Sequence, residues 1–357
     1  MIFKRSRWFT AVGVCAGMAA CGGSKTAPTP TSEAPAIACP VAPDPVDSLD
    51  GSAQVVSFPA PTVTGGQAPL TTSCTPVSGS SFVIGTTTVT CTTADARART
   101  ASCTFPVVVQ PPPKLPVTSF LAFGDSLTWG EDGRDTASAL DFGQRVFVQV
   151  PQSQRYPDIL QQELQARYRQ QQVSVMNAGC PGESLSDPGD FKNNCFGERA
   201  DDPSAFRRFT SIASLHRWDA VLFMEGSNDA DMASGDSRVL PVAIDYLRKM
   251  IEDAKGRGMQ VIVGTIPPMV PPGALGRAKG AAVVPTFNDM VRALATSEGV
   301  PVADVYQAFG ADAPTLIGFD GLHPNPAGYQ RMADSFFDTI KSALETRASA
   351  TRVKTNR

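Results

Sequence analysis

At positions 117–127 the chain contains the stretch Val117-Thr118-Ser119-Phe120-Leu121-Ala122-Phe123-Gly124-Asp125-Ser126-Leu127. The part before Gly124 is mostly apolar, which is typical of a strand buried on both faces of a parallel sheet. A glycine ends this run, and a polar turn that carries the hydroxyl of Ser126 follows. In open α/β sheets the chemistry lies outside the carboxyl ends of the strands. The stretch therefore predicts an α/β domain with a functional group at Ser126.

Further apolar runs follow, and amphipathic segments separate them. The runs are Val173–Met176, Ala220–Met224, Val261–Val263 and Val300–Val302. The segments between and after them carry apolar residues at helical spacing, as at Leu240, Ala243, Ile244, Leu247 and Ile251, at Phe287, Met290, Val291 and Leu294, and at Tyr329, Met332, Ala333, Phe336 and Ile340. Strands that alternate with helices form a parallel sheet covered on both faces. We therefore predict a three-layer α/β/α domain over residues 117–345.

Polar groups follow several of these strands. Gly182 lies in the turn after the second strand, Asn228 follows the third, and Asp320 and His323 precede the last helix. Together with Ser126 they bring a hydroxyl nucleophile, a backbone donor, an amide donor and an acid–base pair to one edge of the sheet. Nucleophilic acyl transfer requires this set of groups.

The general base is chosen from only two histidines. A serine hydrolase usually needs a base that titrates near neutral pH, and imidazole is such a base. His216 lies before a strand, at the other end of the predicted sheet, so we interpret it as a surface or packing residue. His323 follows Asp320 closely enough for one turn to bring the carboxylate beside the ring. Asn325 suits the N-cap and Pro326 the first position of the last helix.

The tripeptide Gly-Asp-Ser occurs twice in the chain. No apolar strand precedes the copy at Gly235-Asp236-Ser237, and we interpret Ser237 as a helix-start residue. Only the copy at Ser126 has the context of a strand followed by a turn. No Gly-x-Ser-x-Gly elbow is present, which argues against an α/β-hydrolase.

The ordered set over residues 117–345 resembles the SGNH (GDSL) hydrolase family. The resemblance implies a flavodoxin-like α/β/α fold without a metal or an organic cofactor. It implies that Ser126 is the nucleophile, His323 the general base and Asp320 the residue that orients the imidazole. It also implies that the oxyanion is bound by the backbone N–H groups of Ser126 and Gly182 and by the side-chain amide of Asn228.

The resemblance predicts a serine esterase that hydrolyses acyl or acetyl esters of small molecules or glycans through an acyl-enzyme. Two alternatives stay open: a surface binding or adhesion lipoprotein with a vestigial hydrolase domain, and an acyltransferase or thioesterase that uses the same triad. The substrate depends on the loops 131–153, 183–216 and 267–283. The net charge of -3 gives no electrostatic reason to bind nucleic acid.

The N-terminal half has a different pattern. Short β-type segments with glycine turns predict a small immunoglobulin-like β-sandwich over residues 38–110. The segments around Val56-Ser57-Phe58-Pro59, Cys74-Thr75-Pro76-Val77, Gly85-Thr86-Thr87-Thr88-Val89-Thr90-Cys91 and Cys103-Thr104-Phe105 resemble the HYR (hyalin repeat) module. We favour a spacer role for this module over contact with a glycan or protein. A proline linker is predicted at 111–116 and a polar C-terminal tail at 346–357.

The first residues resemble an export signal. A basic start and an apolar run end in Met18-Ala19-Ala20-Cys21-Gly22, which resembles the lipobox of bacterial lipoproteins. We therefore predict a signal peptide at 1–20, a lipid anchor on Cys21 and a Pro/Thr/Ser-rich tether at 21–37. A plain signal peptide with an incidental Cys21 is the alternative. Either hypothesis predicts an exported protein on the periplasmic face or the cell surface.

Export makes disulfides plausible for the cysteines that remain. Cys39, Cys74, Cys91 and Cys103 allow three pairings, and the sequence does not choose among them. Cys180 and Cys195 flank the loop of Gly182. A bond between these two would contribute about 3 kcal/mol and would hold the Gly182 donor or stabilise the loop. The absence of a Cys-x-x-Cys motif argues against structural zinc.

Overall fold

The computed structural model describes residues 33–134, 148–186, 204–234, 236, 238–273 and 278–347. The chain divides into two compact units. The first comprises Met1–Val41, Pro59–Val77 and Val89–Phe105, and the second comprises Ala42–Phe58, Ser78–Thr88 and Pro106–Arg357. The predicted lipidation site Cys21 lies outside the described residues, together with its signal and most of the predicted tether.

Short strands fill the described part of the N-terminal region. They are β1 (Ala36–Ala38), β2 (Val46–Asp47), β3 (Gln54–Val56), β4 (Thr62–Thr64), β5 (Thr71–Thr75), β6 (Ser80–Phe82), β7 (Gly85–Ala94) and β8 (Thr100–Gln110). β1 pairs with β4, β5 with β7 and β3 with β6, all antiparallel, whereas β2 runs parallel to β8. Buried and exposed residues alternate along β7 and β8, as they do when one face of a strand packs on a core. The expectation of a small β-sandwich is confirmed.

Two disulfides resolve the pairing that the sequence left open. Cys39 bonds to Cys103, and Cys74 bonds to Cys91. Cys74 and Cys91 are opposite each other in the β5–β7 register, so their bond links two paired strands directly. All four cysteines belong to the first compact unit.

The C-terminal region alternates strands and helices. Its strands are β9 (Pro113–Lys114), β10 (Ser119–Gly124), β11 (Ser174–Gly179), β12 (Ala220–Met224), β13 (Gln260–Gly264), β14 (Val302–Ala303) and β15 (Thr346–Arg347). Its helices are α1 (Ser126–Trp129), α2 (Tyr156–Arg167), α3 (Ser204–Leu215), α4 (Ser227–Ala233), α5 (Val239–Gly256), α6 (Val284–Glu298), α7 (Val305–Phe309), α8 (Ala313–Leu316) and α9 (Pro326–Leu344).

The main sheet is parallel and has the order β11-β10-β12-β13-β14. This is the doubly wound, flavodoxin-like order, and it confirms the predicted α/β/α fold. Helices α2 and α9 contact each other, whereas α3 and α6 both contact α5, so the helices form separate layers. Apart from Ser119 at the start of β10, the strands β10 and β12 are apolar and buried because both faces of the sheet are covered.

The register of the central strands aligns their carboxyl ends. Gly124 of β10 is opposite Gly179 of β11 on one side and Met224 of β12 on the other. The three turns that follow these strands therefore start at the same level of the sheet. This alignment brings the segments that contain Ser126, Gly182 and Asn228 to one edge.

The segments predicted as a proline linker and a C-terminal tail contribute paired residues. Pro113–Lys114 (β9) pairs antiparallel with Thr346–Arg347 (β15). Leu115 also donates its N–H to Gln171 Oε1 over 2.8 Å. Proline lacks only its own N–H, so its carbonyl and its neighbours can still pair at a sheet edge.

Helices long and apolar enough to span a bilayer do not occur among the described residues.

Candidate active site

Ser126 occupies the first position of α1, directly after the turn that ends β10. Asp125 is the N-cap of this helix, and its Oδ1 accepts the N–H of Leu127 over 2.9 Å. Gly124 permits the turn because a Cβ there would lie 2.3 Å from the carbonyl oxygen of Met224. Ser126 is therefore held by a capped turn at the end of a buried strand, and the residue is only 1% exposed.

The imidazole of His323 lies between Ser126 and Asp320. Its Nε2 is 2.8 Å from Ser126 Oγ, and its Nδ1 is 2.6 Å from Asp320 Oδ2. An ionised carboxylate can only accept a hydrogen bond, so Nδ1 carries the proton and Nε2 accepts from the serine hydroxyl. All three side chains are almost completely buried. The arrangement can move a proton from Ser126 to His323.

Asp320 also fixes the backbone of its own loop. Its Oδ1 accepts the N–H groups of Leu322 and His323 over 3.0 and 2.9 Å. Burial by itself raises the pKa of Asp320, but the hydrogen bonds from His323 and these N–H groups prevail and hold the pKa below its ordinary value. Asp320 therefore stays ionised near neutral pH and can stabilise an imidazolium on His323.

The predicted donor Gly182 lies in a tight turn after β11. Glu183 donates its N–H to the carbonyl of Cys180 over 3.2 Å, with Pro181 and Gly182 between them. Gly182 has φ +79°, so this is a type II turn with proline and glycine at their preferred positions. The N–H of Glu183 makes the hydrogen bond that closes the turn, so the N–H of Gly182 is not used in that bond.

The turn that precedes α4 holds the Gly182 loop from the other side. Asn228 donates its Nδ2–H to the carbonyl oxygen of Glu183 over 2.6 Å. The buried carboxylate of Asp229 accepts the N–H groups of Leu185 and Ser186, each over 2.9 Å, and the hydroxyl of Ser186 over 2.6 Å. Asn228 and Asp229 therefore fix the loop that contains Gly182.

A further hydrogen bond links the Asn228 turn to the Ser126 turn. Ser227 donates its hydroxyl to Asp125 Oδ2 over 2.5 Å. Burial raises the pKa of Asp125 to about 6, although the hydrogen bonds from Ser227 and Leu127 act in the opposite direction. The turns that carry Ser126, Gly182 and Asn228 are thus joined through side chains as well as through the sheet.

Comparison with known families gives two matches. A profile described as the GDSL-like lipase/acylhydrolase family matches residues 122–331, more than half of the chain. The chain belongs to this family. It is therefore a carboxylic ester hydrolase. A HYR domain profile matches residues 31–109, and no protein of the curated set matches the chain.

Solved structures similar to this GDSL-like acylhydrolase are esterases and acylhydrolases of low sequence identity. Est24, a carbohydrate acetylesterase from Sinorhizobium meliloti, is 20% identical with a TM-score of 0.48, covering 63% of this chain and 99% of its own. An aryl esterase from M. smegmatis is 20% identical with a TM-score of 0.48, and the match covers 64% of this chain and 100% of the esterase. A lipase/acylhydrolase from Enterococcus faecalis is 20% identical with a TM-score of 0.47, and the match covers 65% of this chain and 100% of that protein.

Two residues of this acylhydrolase that the sequence did not single out contact the site. Glu131 is buried and places Oε2 3.4 Å from His323 Nε2. Arg208 of α3 is buried and bonds to the carboxylate of Glu183. A signal for Arg208 exists in the sequence, because it lies beside Ala205 and Phe209 on the apolar face of its helix. A charge in such a position predicts a buried partner.

The remaining predicted residues of this acylhydrolase have separate outcomes. His216 is exposed and its ring contacts Trp218, as expected for a surface residue. Ser237 lies outside the described residues. Cys195 does as well, so its bond to Cys180 stays a prediction, although Cys180 is disulfide-bonded. Within the described ranges, no group of His, Cys, Asp or Glu side chains is arranged to hold a metal ion.

Proposed function

We propose that the protein is a serine esterase in which Ser126, His323 and Asp320 act as a catalytic triad. The observation that carries the proposal is the pair of contacts on one imidazole, 2.8 Å to Ser126 Oγ and 2.6 Å to Asp320 Oδ2. Because both contacts are in place, the serine hydroxyl can pass its proton directly to the imidazole. The substrates are esters of small molecules or glycans.

In the first half of the proposed reaction, Ser126 Oγ attacks the ester carbonyl carbon while His323 Nε2 takes the hydroxyl proton. The carbonyl electron pair moves to oxygen, and the N–H groups of Ser126 and Gly182 and the amide of Asn228 bind this oxyanion. Asp320 stabilises the imidazolium electrostatically. The intermediate then collapses, and the leaving alcohol takes the proton from Nε2 while the acyl group stays on Oγ.

In the second half, water replaces the alcohol. His323 takes a proton from water, the hydroxide oxygen attacks the acyl carbon, and a second oxyanion forms in the same site. Collapse of this intermediate breaks the bond between the acyl carbon and Oγ, and Oγ recovers the proton from Nε2. The products are a carboxylic acid and the free enzyme.

The test uses p-nitrophenyl acetate and two serine variants. Ser126→Ala should lower kcat/KM by about 10⁴-fold or more, because it removes the nucleophile. Ser237→Ala, in the second Gly-Asp-Ser copy, is the matched control and should retain the wild-type rate. Equal rates for Ser126→Ala and wild type would contradict the proposal, and a binding protein with a vestigial site would then be favoured.

The acyl-enzyme has a separate test. Rapid acid quench during turnover should give a protein mass increased by one acyl group on Ser126. Product analysis with added alcohols separates hydrolysis from acyl transfer: a hydrolase yields mainly acid, and an acyltransferase yields mainly the new ester. A panel that varies acyl length and leaving group should then define the substrate.

We also propose that the chain is exported and anchored to a bacterial membrane through a lipid on Cys21. The sequence around Cys21 and the two disulfides, which form in oxidising compartments, support this proposal. Labelling of cells with a fatty-acid probe should mark the wild type and not Cys21→Ser. Equal labelling of both would contradict the lipid anchor.

A further inference from the structure

A buried arginine hydrogen-bonds to Glu183, the residue that follows Gly182. Arg208 of α3 has only 4% of its surface exposed. Its Nε donates to Glu183 over 2.9 Å, and its Nη2 also donates to Glu183 Oε2. The guanidinium lies 3.9 Å from the ring centre of Phe123. Burying one cation this completely requires partners on every side.

The same guanidinium joins the ends of two strands. Its Nη1 donates to the carbonyl of Ala178 over 2.7 Å, and its Nη2 donates to the carbonyl of Gly124 over 3.1 Å. Gly124 ends the strand that leads to Ser126, and Ala178 belongs to the strand that leads to Gly182. A planar fork with several fixed donors can satisfy all these acceptors at once, and an ammonium group cannot.

Glu183 connects Arg208 to the segments that carry the predicted oxyanion donors. Its carboxylate bonds to Arg208, its N–H closes the turn that contains Gly182, and its carbonyl accepts the amide of Asn228. Any shift of Glu183 therefore moves the Gly182 N–H and the Asn228 side chain together. Two of the three predicted oxyanion donors depend on one residue.

Two buried carboxyl groups, those of Glu183 and Glu225, lie near the positive charge of Arg208. Glu225 is fully buried and lies 3.9 Å from Arg208 Nη2. Burial, and then the carboxylates of Asp125 and Glu183, raise the pKa of Glu225 well above its ordinary value. These effects favour the neutral form of Glu225, whereas the carboxylate of Glu183 hydrogen-bonds directly to the guanidinium of Arg208. Removing Arg208 would take from the buried carboxylate of Glu183 the cation to which it hydrogen-bonds.

We propose that Arg208 and Glu183 are a positioning pair for oxyanion binding. Arg208 fixes Glu183, and Glu183 holds the Gly182 N–H and the Asn228 amide where the tetrahedral oxygen forms. Neither residue touches the substrate. This inference rests on the proposed function, because it requires that Gly182 and Asn228 bind an oxyanion.

The central experiment compares Arg208→Lys with Arg167→Lys. Arg167 is a matched control because it also makes two hydrogen bonds to one glutamate, Glu345, and its guanidinium also faces an aromatic ring, that of Tyr168. It ends α2, the helix that precedes the start of β11, and so it lies away from the carboxyl edge of the sheet. Arg208→Lys should lower kcat about 100-fold with little change in KM, since a displacement of about 1 Å has an effect of this size. Arg167→Lys should stay within about twofold of wild type.

Binding of a boronic acid provides a readout that a general loss of structure would not reproduce. A boronic acid forms a tetrahedral adduct on the serine oxygen, and its negative oxygen needs the same donors. The inhibition constant of Arg208→Lys should rise in proportion to the loss of kcat. A loss of kcat with an unchanged inhibition constant would overturn the proposal, as would equal activities of Arg208→Lys and Arg167→Lys.

Coupling to Asn228 gives a second criterion. If Arg208 acts through the donors, the losses caused by Arg208→Lys and Asn228→Ala should be clearly less than additive in the double variant. Additive losses would overturn the proposal. If Arg208→Lys does not fold, the variant with Arg208→Met and Glu183→Gln removes both charges at similar volume. Wild-type activity in that variant overturns the proposal, and a selective loss of kcat supports it.

Failure of this inference is distinguishable from failure of the proposed function. If Ser126→Ala retains activity, the triad proposal fails whatever the arginine variants show. If Ser126→Ala is inactive and Arg208→Lys is as active as Arg167→Lys, only the positioning pair is refuted.

Discussion

Ser227 donates its hydroxyl to the buried carboxylate of Asp125, and each of these residues directly precedes a residue of the candidate site. Asp125 precedes Ser126, and Ser227 precedes Asn228. The bond thus links the turn of the proposed nucleophile to the turn of a proposed oxyanion donor. Its strength depends on whether Asp125 is ionised, because hydrogen bonds to charged groups are stronger than those between neutral groups.

Asp125 should give the stability of the protein a characteristic pH dependence. Its pKa is about 6 in the folded chain against an ordinary value of 3.8. The folded state therefore holds the proton more tightly, so the contribution of Asp125 is complete below about pH 4 and is lost as the pH rises through about 6. From about pH 4 to pH 7, the unfolding free energy of Asp125→Asn should rise by about 2 kcal/mol relative to that of wild type. Urea denaturation measures this difference.

Asp219 is a control for which the pH dependence of stability should have the opposite sign. Burial raises its pKa, but the N–H groups of Thr118 and Ser119 prevail and lower it below the ordinary value. Its contribution to stability is therefore lost as the pH falls, and the difference between Asp219→Asn and wild type should run the other way. A difference between Asp125→Asn and wild type that does not change with pH would show that Asp125 does not titrate as stated.

Gly182→Ala should lower activity through the backbone alone. The φ of +79° costs a residue with a Cβ about 1–2 kcal/mol, while the space around the new Cβ is open. The turn should therefore relax and shift the N–H that is proposed to bind the oxyanion. Gly258 is a matched control, with φ +82° and equally open space beyond the end of α5. Both variants should lose similar stability, and only Gly182→Ala should lose kcat; similar kcat values would refute a role for Gly182.

Gly133→Ala should disturb His323 by direct collision. A Cβ at this position would lie 2.1 Å from the carbonyl oxygen of His323, and backbone cannot yield as a flexible side chain does. We expect a loss of kcat of at least about tenfold, together with a lower melting temperature, because the imidazole is displaced. Gly256→Ala, at the end of α5 in open space, should leave kcat unchanged. Wild-type kcat in Gly133→Ala would mean that the His323 loop tolerates the shift.

The two disulfides should contribute unequally to stability. The bond Cys39–Cys103 spans 64 residues and Cys74–Cys91 spans 17. In the chain-entropy treatment, removing the first costs about 4 kcal/mol and removing the second about 3 kcal/mol. Paired Cys→Ala variants, compared by denaturant unfolding, measure both values. The reverse order would show that native packing rather than loop length decides their contributions.

The sequence predicts the α/β fold well because local signals and burial agree there. The apolar run of β12 is predicted with its correct bounds, and the last helix begins at Pro326 with Asn325 as its N-cap, as expected. The first strand begins at Ser119 rather than Val117. The reason is that Asp219 accepts the N–H groups of Thr118 and Ser119, which competes with earlier sheet pairing.

Features that depend on distant partners could not be predicted in the same way. Nothing near Pro113 in the sequence indicates that it pairs with Arg347. The choice among three disulfide pairings depends on which strands lie opposite each other, and spacing does not determine it. Arg208 lies on the apolar face of α3, but the partners that make its burial favourable, Glu183 and the carbonyls of Ala178 and Gly124, are distant in the sequence.

Because β9 pairs with β15, the first and last described residues of the α/β region lie side by side, with Pro113 opposite Arg347. A fold whose two ends are adjacent tolerates insertion into a loop of another protein and circular permutation. A short peptide would therefore be enough to connect the two ends of this region.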